Sequence, residues 1–275
     1  MSSVAKGKIS KVSPDGTIEL FADSPDLVST LGMEVDAVHD RLLVCVTDPG
    51  FNASRSDSTT LAQLAAVAIY DLKSGERTDF IQLASGAPHL ANDLILDDVG
   101  NVYVSDSFDS TIYKIDVSGQ VSVLVSDGAF SPQPMNFGLN GIVWHPDGYL
   151  IAAKYDEGKL FRIPLEAPAA FQEIKISNGA IPAIDGILLT DNQTLAVASN
   201  NLGPFPHENA VYELTSTDNW ANASITQTIA TGNTSFPTTF TQVGPALYVQ
   251  YARLQALVAG NNPPATDFPI VKINF

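Results

Sequence analysis

A chain of 275 residues with 45% apolar and 16% charged residues has a globular composition and enough length to bury a large core. Its net charge of −16 repels phosphate backbones and anionic lipid, which argues against nucleic acid or a membrane surface as partner and leaves a small-molecule substrate. The single cysteine, Cys45, excludes an internal disulfide, and no apolar run is long enough to span a membrane.

Taken in chain order, residues 8–13 and 17–22 are two short runs that read as the third and fourth strands of a unit lacking its first two. A full unit then opens at Leu31 (LGMEVDAVHDRLLVCVTD) and continues through AAVAIYDLKSGERTDFIQLAS. Cys45 lies in its apolar run 42–46 and reads as a small buried hydrophobe. Further units open at Asn92, Asn140 and Asp185, and a shorter one at Thr238, with starts about 45 to 60 residues apart. That is the span of a four-stranded propeller blade. The turns within units place Gly or Asp where positive φ or side-chain capping is needed, as at 98–101, 117–119 and 146–148. The first two runs of a unit are almost continuously apolar (142–144, 150–153), as for strands buried on both faces. Later runs alternate (111–115, 159–163), as for strands nearer the rim. The pattern predicts an all-β, six-bladed β-propeller in one domain over 1–275, with about 21 strands and an incomplete first blade.

In a propeller, equivalent positions at the start of each inner strand converge on one axis. Here they are Leu31, Asn92, Asn140, Asp185 and Thr238. The oxygens of Asn92, Asn140 and Asp185 suit a hard cation such as Ca²⁺ or Mg²⁺, with water filling the remaining positions. Asp185 is then placed to accept a proton or orient water. The competing reading is that these residues, and Asp93, cap turns before strands. Without metal, the same cavity would bind a neutral ligand and guide a cyclisation.

Loops 49–64, 86–91, 128–139, 200–209 and 251–267 frame the mouth and carry Phe51, Arg55, His89, Phe130, Met135, Phe137, Phe205, His207 and Arg253. Their apolar bias fits a partly apolar substrate. His89 and His207 are candidate acid–base groups. Asp106, Lys154, Tyr155, Asn200 and Tyr251, at the ends of second strands, complete the pocket candidates. A phosphate-cradling glycine loop, zinc-type Cys/His spacing and a G-x-S-x-G elbow are all absent. Four sequons, at Asn52, Asn192, Asn222 and Asn233, tilt the expected location towards secretion; without a signal peptide the alternative is the cytoplasm.

The segments ANDLILDDVGNVYVSDS, LNGIVWHPDGYLIAAKY and IDGILLTDNQTLAVASN resemble the senescence-marker-protein/gluconolactonase/luciferin-regenerating-enzyme family, blade by blade over nearly the whole chain. The resemblance implies a six-bladed propeller with a divalent metal, usually calcium, held by a first-blade Glu, two Asn and an Asp. It places the two Asn on Asn92 and Asn140 and the Asp on Asp185, which in lactonases of the family is also proposed as the base. The Glu has no counterpart: Glu34 lies three positions beyond Leu31, the position matching Asn92. The implied activity is metal-assisted hydrolysis of a lactone or related ester. Fungal propeller relatives that act on natural-product intermediates imply a metal-free cyclase or pericyclase as the alternative, and a non-catalytic binding propeller is the third.

Overall fold

A computed structural model describes residues 1–86, 88–202, 207–232, 235–260 and 265–275. Phe205 and Asn233 lie outside the described residues. Among those described are 21 strands and one α-helix of five residues. The chain divides into two compact units, Met1–Ser131 and Pro132–Phe275.

The first unit begins with an antiparallel pair, β1 (Lys8–Val12) and β2 (Ile18–Asp23). Two four-stranded antiparallel sheets follow in simple up-and-down order. One holds β3 (Ser29–Asp36), β4 (Arg41–Thr47), β5 (Ala65–Asp71) and β6 (Arg77–Ala84). The other holds β7 (Ala91–Leu96), β8 (Val102–Asp106), β9 (Thr111–Ile115) and β10 (Val121–Ser126). The burial explains the sequence pattern. β4 is buried along all but its first residue, and β5 along all but its last. Both are therefore apolar throughout, whereas β6 and β10 are largely open to solvent and carry polar residues. Leu43, Cys45 and Val67 of one sheet form a single core with Leu94, Val104 and Tyr113 of the next. Each such large side chain contributes about 1.5–3 kcal/mol on burial. Burial also pushes the Cys45 thiol well above its ordinary pKa, which leaves it an inert hydrophobe.

Turn chemistry fixes the hairpins. Asp71, Asp97 and Asp116 each end a strand or follow one, and each carboxylate accepts backbone N–H groups two to four residues on.

The second unit holds β11 (Leu139–His145), β12 (Tyr149–Lys154), β13 (Lys159–Pro164), β14 (Gln172–Ile176), β15 (Ile184–Asp191), β16 (Thr194–Ser199), β17 (Ala210–Thr215), β18 (Asn222–Ala230), β19 (Pro237–Val243), β20 (Ala246–Tyr251) and β21 (Ile270–Ile273). The helix α1 (Leu254–Val258) lies in the connection from β20 to β21. Here the structure departs from separate blades. The outer strands β14 and β18 pair in parallel over Lys175–Asn222 and Ile176–Ala223, joining two blades into one eight-stranded sheet. The Asn178 side chain extends the seam, accepting from Ile225 N at 2.8 Å and donating to Ile225 O at 2.9 Å. Two exposed edges are thereby covered.

Candidate active site

In all five hairpins that begin with an inner strand, the ladder to the second strand breaks at the same place. The breaks lie between Thr30 and Met33, Ala91 and Leu94, Leu139 and Ile142, Ile184 and Ile187, and Pro237 and Thr239. The residues left out of register are Leu31-Gly32, Asn92-Asp93, Asn140-Gly141, Asp185-Gly186 and Thr238. A bulge re-aims side chains out of the pleat. Every site position expected at an inner-strand start is thus a bulge residue.

The glycines show why. In the first unit a Cβ on Gly32 would sit 2.6 Å from Asp93 Cα and 2.7 Å from Asn92 O. In the second, a Cβ on Gly141 would sit 2.7 Å from Asp185 O, and one on Gly186 2.3 Å from Thr238 O. Neighbouring inner strands approach too closely for any side chain there. The Asn-Gly and Asp-Gly pairs are a packing requirement, and the residue before each glycine stands level with its neighbour on the next strand within its unit.

In the second unit, Asn140 is buried and Asp185 half-buried on adjacent bulges. Fully buried Asn200 donates both amide hydrogens, one to Asp185 Oδ2 and one to Pro237 O at 2.8 Å. The Tyr155 hydroxyl lies 3.0 Å from Asn200 Oδ1 and O, and accepts from Leu202 N at 3.0 Å. Phe137 meets the Tyr155 ring edge-on at 6.1 Å. Lys154 is 1% exposed; its ammonium pairs with Glu157 and lies 3.4 Å from Asp156 Oδ1. Hydrogen bonds from Lys154 and Lys159 hold the Glu157 carboxyl down at about 2. His207 Nε2 lies 3.4 Å from Ser199 Oγ, and Tyr251 is half-buried with its phenol pushed up by burial.

In the first unit, Asn92 donates to Ser107 Oγ at 2.7 Å. Asp106 is fully buried at the end of β8 and faces His89 Nδ1 at 2.9 Å. Burial pushes the Asp106 carboxyl up, against the opposing effect of bonds from Leu90 N–H and His89. Among the loop residues, Arg55 holds the N-terminal segment through Gly7 O, Leu27 O and Asp23, and Arg253 pairs with Asp267. Phe130 is buried and Met135 wholly exposed.

Sequence reasoning missed Ser107. Its signal is the repeat: Ser107 follows Asn92 by 15 residues, as Asn200 follows Asp185. Tyr155 stands at the same offset from Asn140.

Of the calcium set that the resemblance implies, the first-blade Glu has no counterpart. The first-blade bulge carries Leu31, and Asp185 is the one carboxylate among the residues heading the five bulges. One of its oxygens already accepts from Asn200. Glu34 is not at the bulge: it lies past the break, in ladder register opposite Leu43. It lies against Asp93 and Asp36, and burial first, then those two charges, push its carboxyl up to about 7. Its folded pKa exceeds the ordinary 4.5, so its stabilising protonated state is full below about pH 4.5 and lost as pH rises through about 7. Replacing Glu34→Gln is expected to raise stability at pH 8 by up to about 3 kcal/mol, with little change at pH 4, in urea unfolding. Equal effects at both pH values would contradict it.

No protein-family model matches the sequence, and no curated protein matches it. Solved structures match by fold. The luciferin-regenerating enzyme is 13% identical over 96% of this chain and 81% of that one, with a TM-score of 0.60. A gluconolactonase from Xanthomonas campestris is 15% identical over 90% of this chain and 76% of that one, at 0.58. Virginiamycin B lyase from Staphylococcus aureus is 15% identical over 81% of this chain, at 0.55, and this chain spans 63% of its length. The fold is therefore all-β and of the six-bladed propeller type that lactonases use.

Proposed function

We propose that this protein hydrolyses a lactone or related ester, with Asp185 as the base that activates water. The observation that carries this reading is the chain from buried Tyr155 through buried Asn200 to half-buried Asp185, which fixes a carboxylate on an inner-strand bulge. Asp185 takes a proton from water as the water oxygen bonds to the carbonyl carbon. The carbon–oxygen bond of the ring then breaks and the leaving oxygen takes the proton, giving a hydroxy acid. Asn140, on the neighbouring bulge, carries the amide suited to donate to the carbonyl oxygen as charge develops there. Phe137 beside Tyr155 favours a substrate with an apolar part. A gluconolactonase among the fold neighbours supports the reaction class.

The test is a panel of γ- and δ-lactones and p-nitrophenyl esters, assayed with and without chelator. Turnover that survives chelation is expected. Rearrangement of a polyene with no ring opened would replace this reading with the cyclase one. Calcium and magnesium at millimolar concentration are expected to leave the melting temperature unchanged. A rise of several degrees on calcium titration would show a bound ion and restore metal-assisted hydrolysis.

A further inference from the structure

We propose that His89 is a general base in its own right and that Asp106 is the positioning residue that makes it one. The substrate class, a carboxylic ester, rests on the hydrolase reading; the proton-accepting character of His89 does not.

Asp106 is fully buried, and its Oδ1 accepts from the backbone N–H groups of Leu90 at 2.7 Å, Phe108 at 3.1 Å and Asp109 at 3.2 Å. Three backbone donors hold a carboxylate rigid and favour its charged form. Its Oδ2 meets His89 Nδ1 at 2.9 Å. An ionised carboxylate only accepts, so Nδ1 carries the proton and the imidazole lone pair falls on Nε2. Nε2 has no hydrogen-bond partner among the described residues, yet it is not one of the polar atoms shut off from solvent. The His89 side chain keeps 10% of its exposure. The backbone N–H of His89 donates to Ala62 O at 2.9 Å, so the ring is anchored through both chain and side chain.

His145 supplies the contrast of a histidine that serves structure. Its Nε2 meets Asn192 O at 2.9 Å, and its Nδ1 accepts from Asp147 N at 3.1 Å, so both ring nitrogens are spent. His89 spends one and presents the other. Three residues further on, Asn92 is held by Ser107, the neighbour of Asp106. The dyad and a bulge amide therefore occupy the same end of one blade. In the proposed step, Nε2 takes a proton from water as the water oxygen bonds to the ester carbonyl carbon. The carbon–alkoxy bond breaks, and Nε2 returns the proton to the alkoxy oxygen, so ester and water give acid and alcohol.

Nitrogen–proton NMR of the wild-type protein should show neutral His89 as the Nδ1–H tautomer. Diethyl pyrocarbonate should modify it faster than His145. A neutral Nε2–H tautomer, or modification no faster than that of His145, would overturn the proposal without any variant having to fold. With p-nitrophenyl acetate as probe, His89→Gln should lower turnover about 10²- to 10⁴-fold and remove the acidic limb of the pH–rate profile. Asp106→Asn should shift that limb and change the His89 tautomer, which loss of packing alone would not do. If His89→Gln leaves rate and profile unchanged, the catalytic role fails while the Asp185 reading stands. If the wild type hydrolyses no ester, the hydrolase reading and the step proposed here fail together, and the tautomer and modification rate still decide whether His89 accepts protons.

Discussion

Asp185→Asn is expected to lower turnover of a lactone substrate by about 10²- to 10⁴-fold, the range that loss of a positioned general base produces. The replacement keeps the shape of the side chain and an oxygen to accept from Asn200, so the bulge of β15 should persist. What disappears is the ability to take a proton from water at neutral pH. The loss should fall on kcat and on kcat/KM alike, because the missing interaction is made only as the transition state forms. Asn200→Ala separates orientation from basicity. The carboxylate remains but loses the amide that ties it to Tyr155 and Pro237, and a smaller loss in kcat is expected with KM little changed. An Asp185→Asn protein with full turnover would remove Asp185 from the mechanism.

Gly186→Ala is expected to destabilise the fold by about 3 kcal/mol or more. The added Cβ would lie 2.3 Å from Thr238 O and 2.9 Å from Thr239 Cα, both backbone atoms of β19 that cannot rotate away. In a chain of this size the melting temperature should fall by about 6 to 12 °C. Gly128→Ala is the control: a Cβ there meets nothing within 4 Å, and stability should change by less than about 0.5 kcal/mol. Equal effects at the two positions would mean that the inner strands β15 and β19 are not in the close contact described.

These effects explain which parts of the molecule can be read from its sequence. Asn140-Gly141 and Asp185-Gly186 are legible because one local geometry, a bulge with a bare glycine against the next inner strand, recurs at Gly32, Gly141 and Gly186 and forces the same residue type there. The apolar runs of β4, β5, β12 and β16 are legible because both faces of each are covered. The pairing of His89 with Asp106 is not. The two stand 17 residues apart, and no other blade repeats a histidine before its inner strand. The state of Glu34 is equally hidden, since Asp93 lies on the adjacent strand β7 and not on its own. The parallel seam between β14 and β18 escapes pattern reading because it is short: two residue pairs and the side chains of Ser177 and Asn178 make it. Periodicity reports which face of a strand is buried. It does not report which neighbour a side chain meets.

The most direct measurement is a crystal structure of the protein soaked with the hydroxy-acid product of whichever lactone it opens. The product is predicted to lie with its new hydroxyl donating to the Asp185 carboxylate at about 2.6–3.2 Å and its carboxylate within reach of the Asn140 amide. A product bound away from the β11 and β15 bulges, with Asp185 and Asn140 untouched, would contradict the view that bulge side chains do the chemistry.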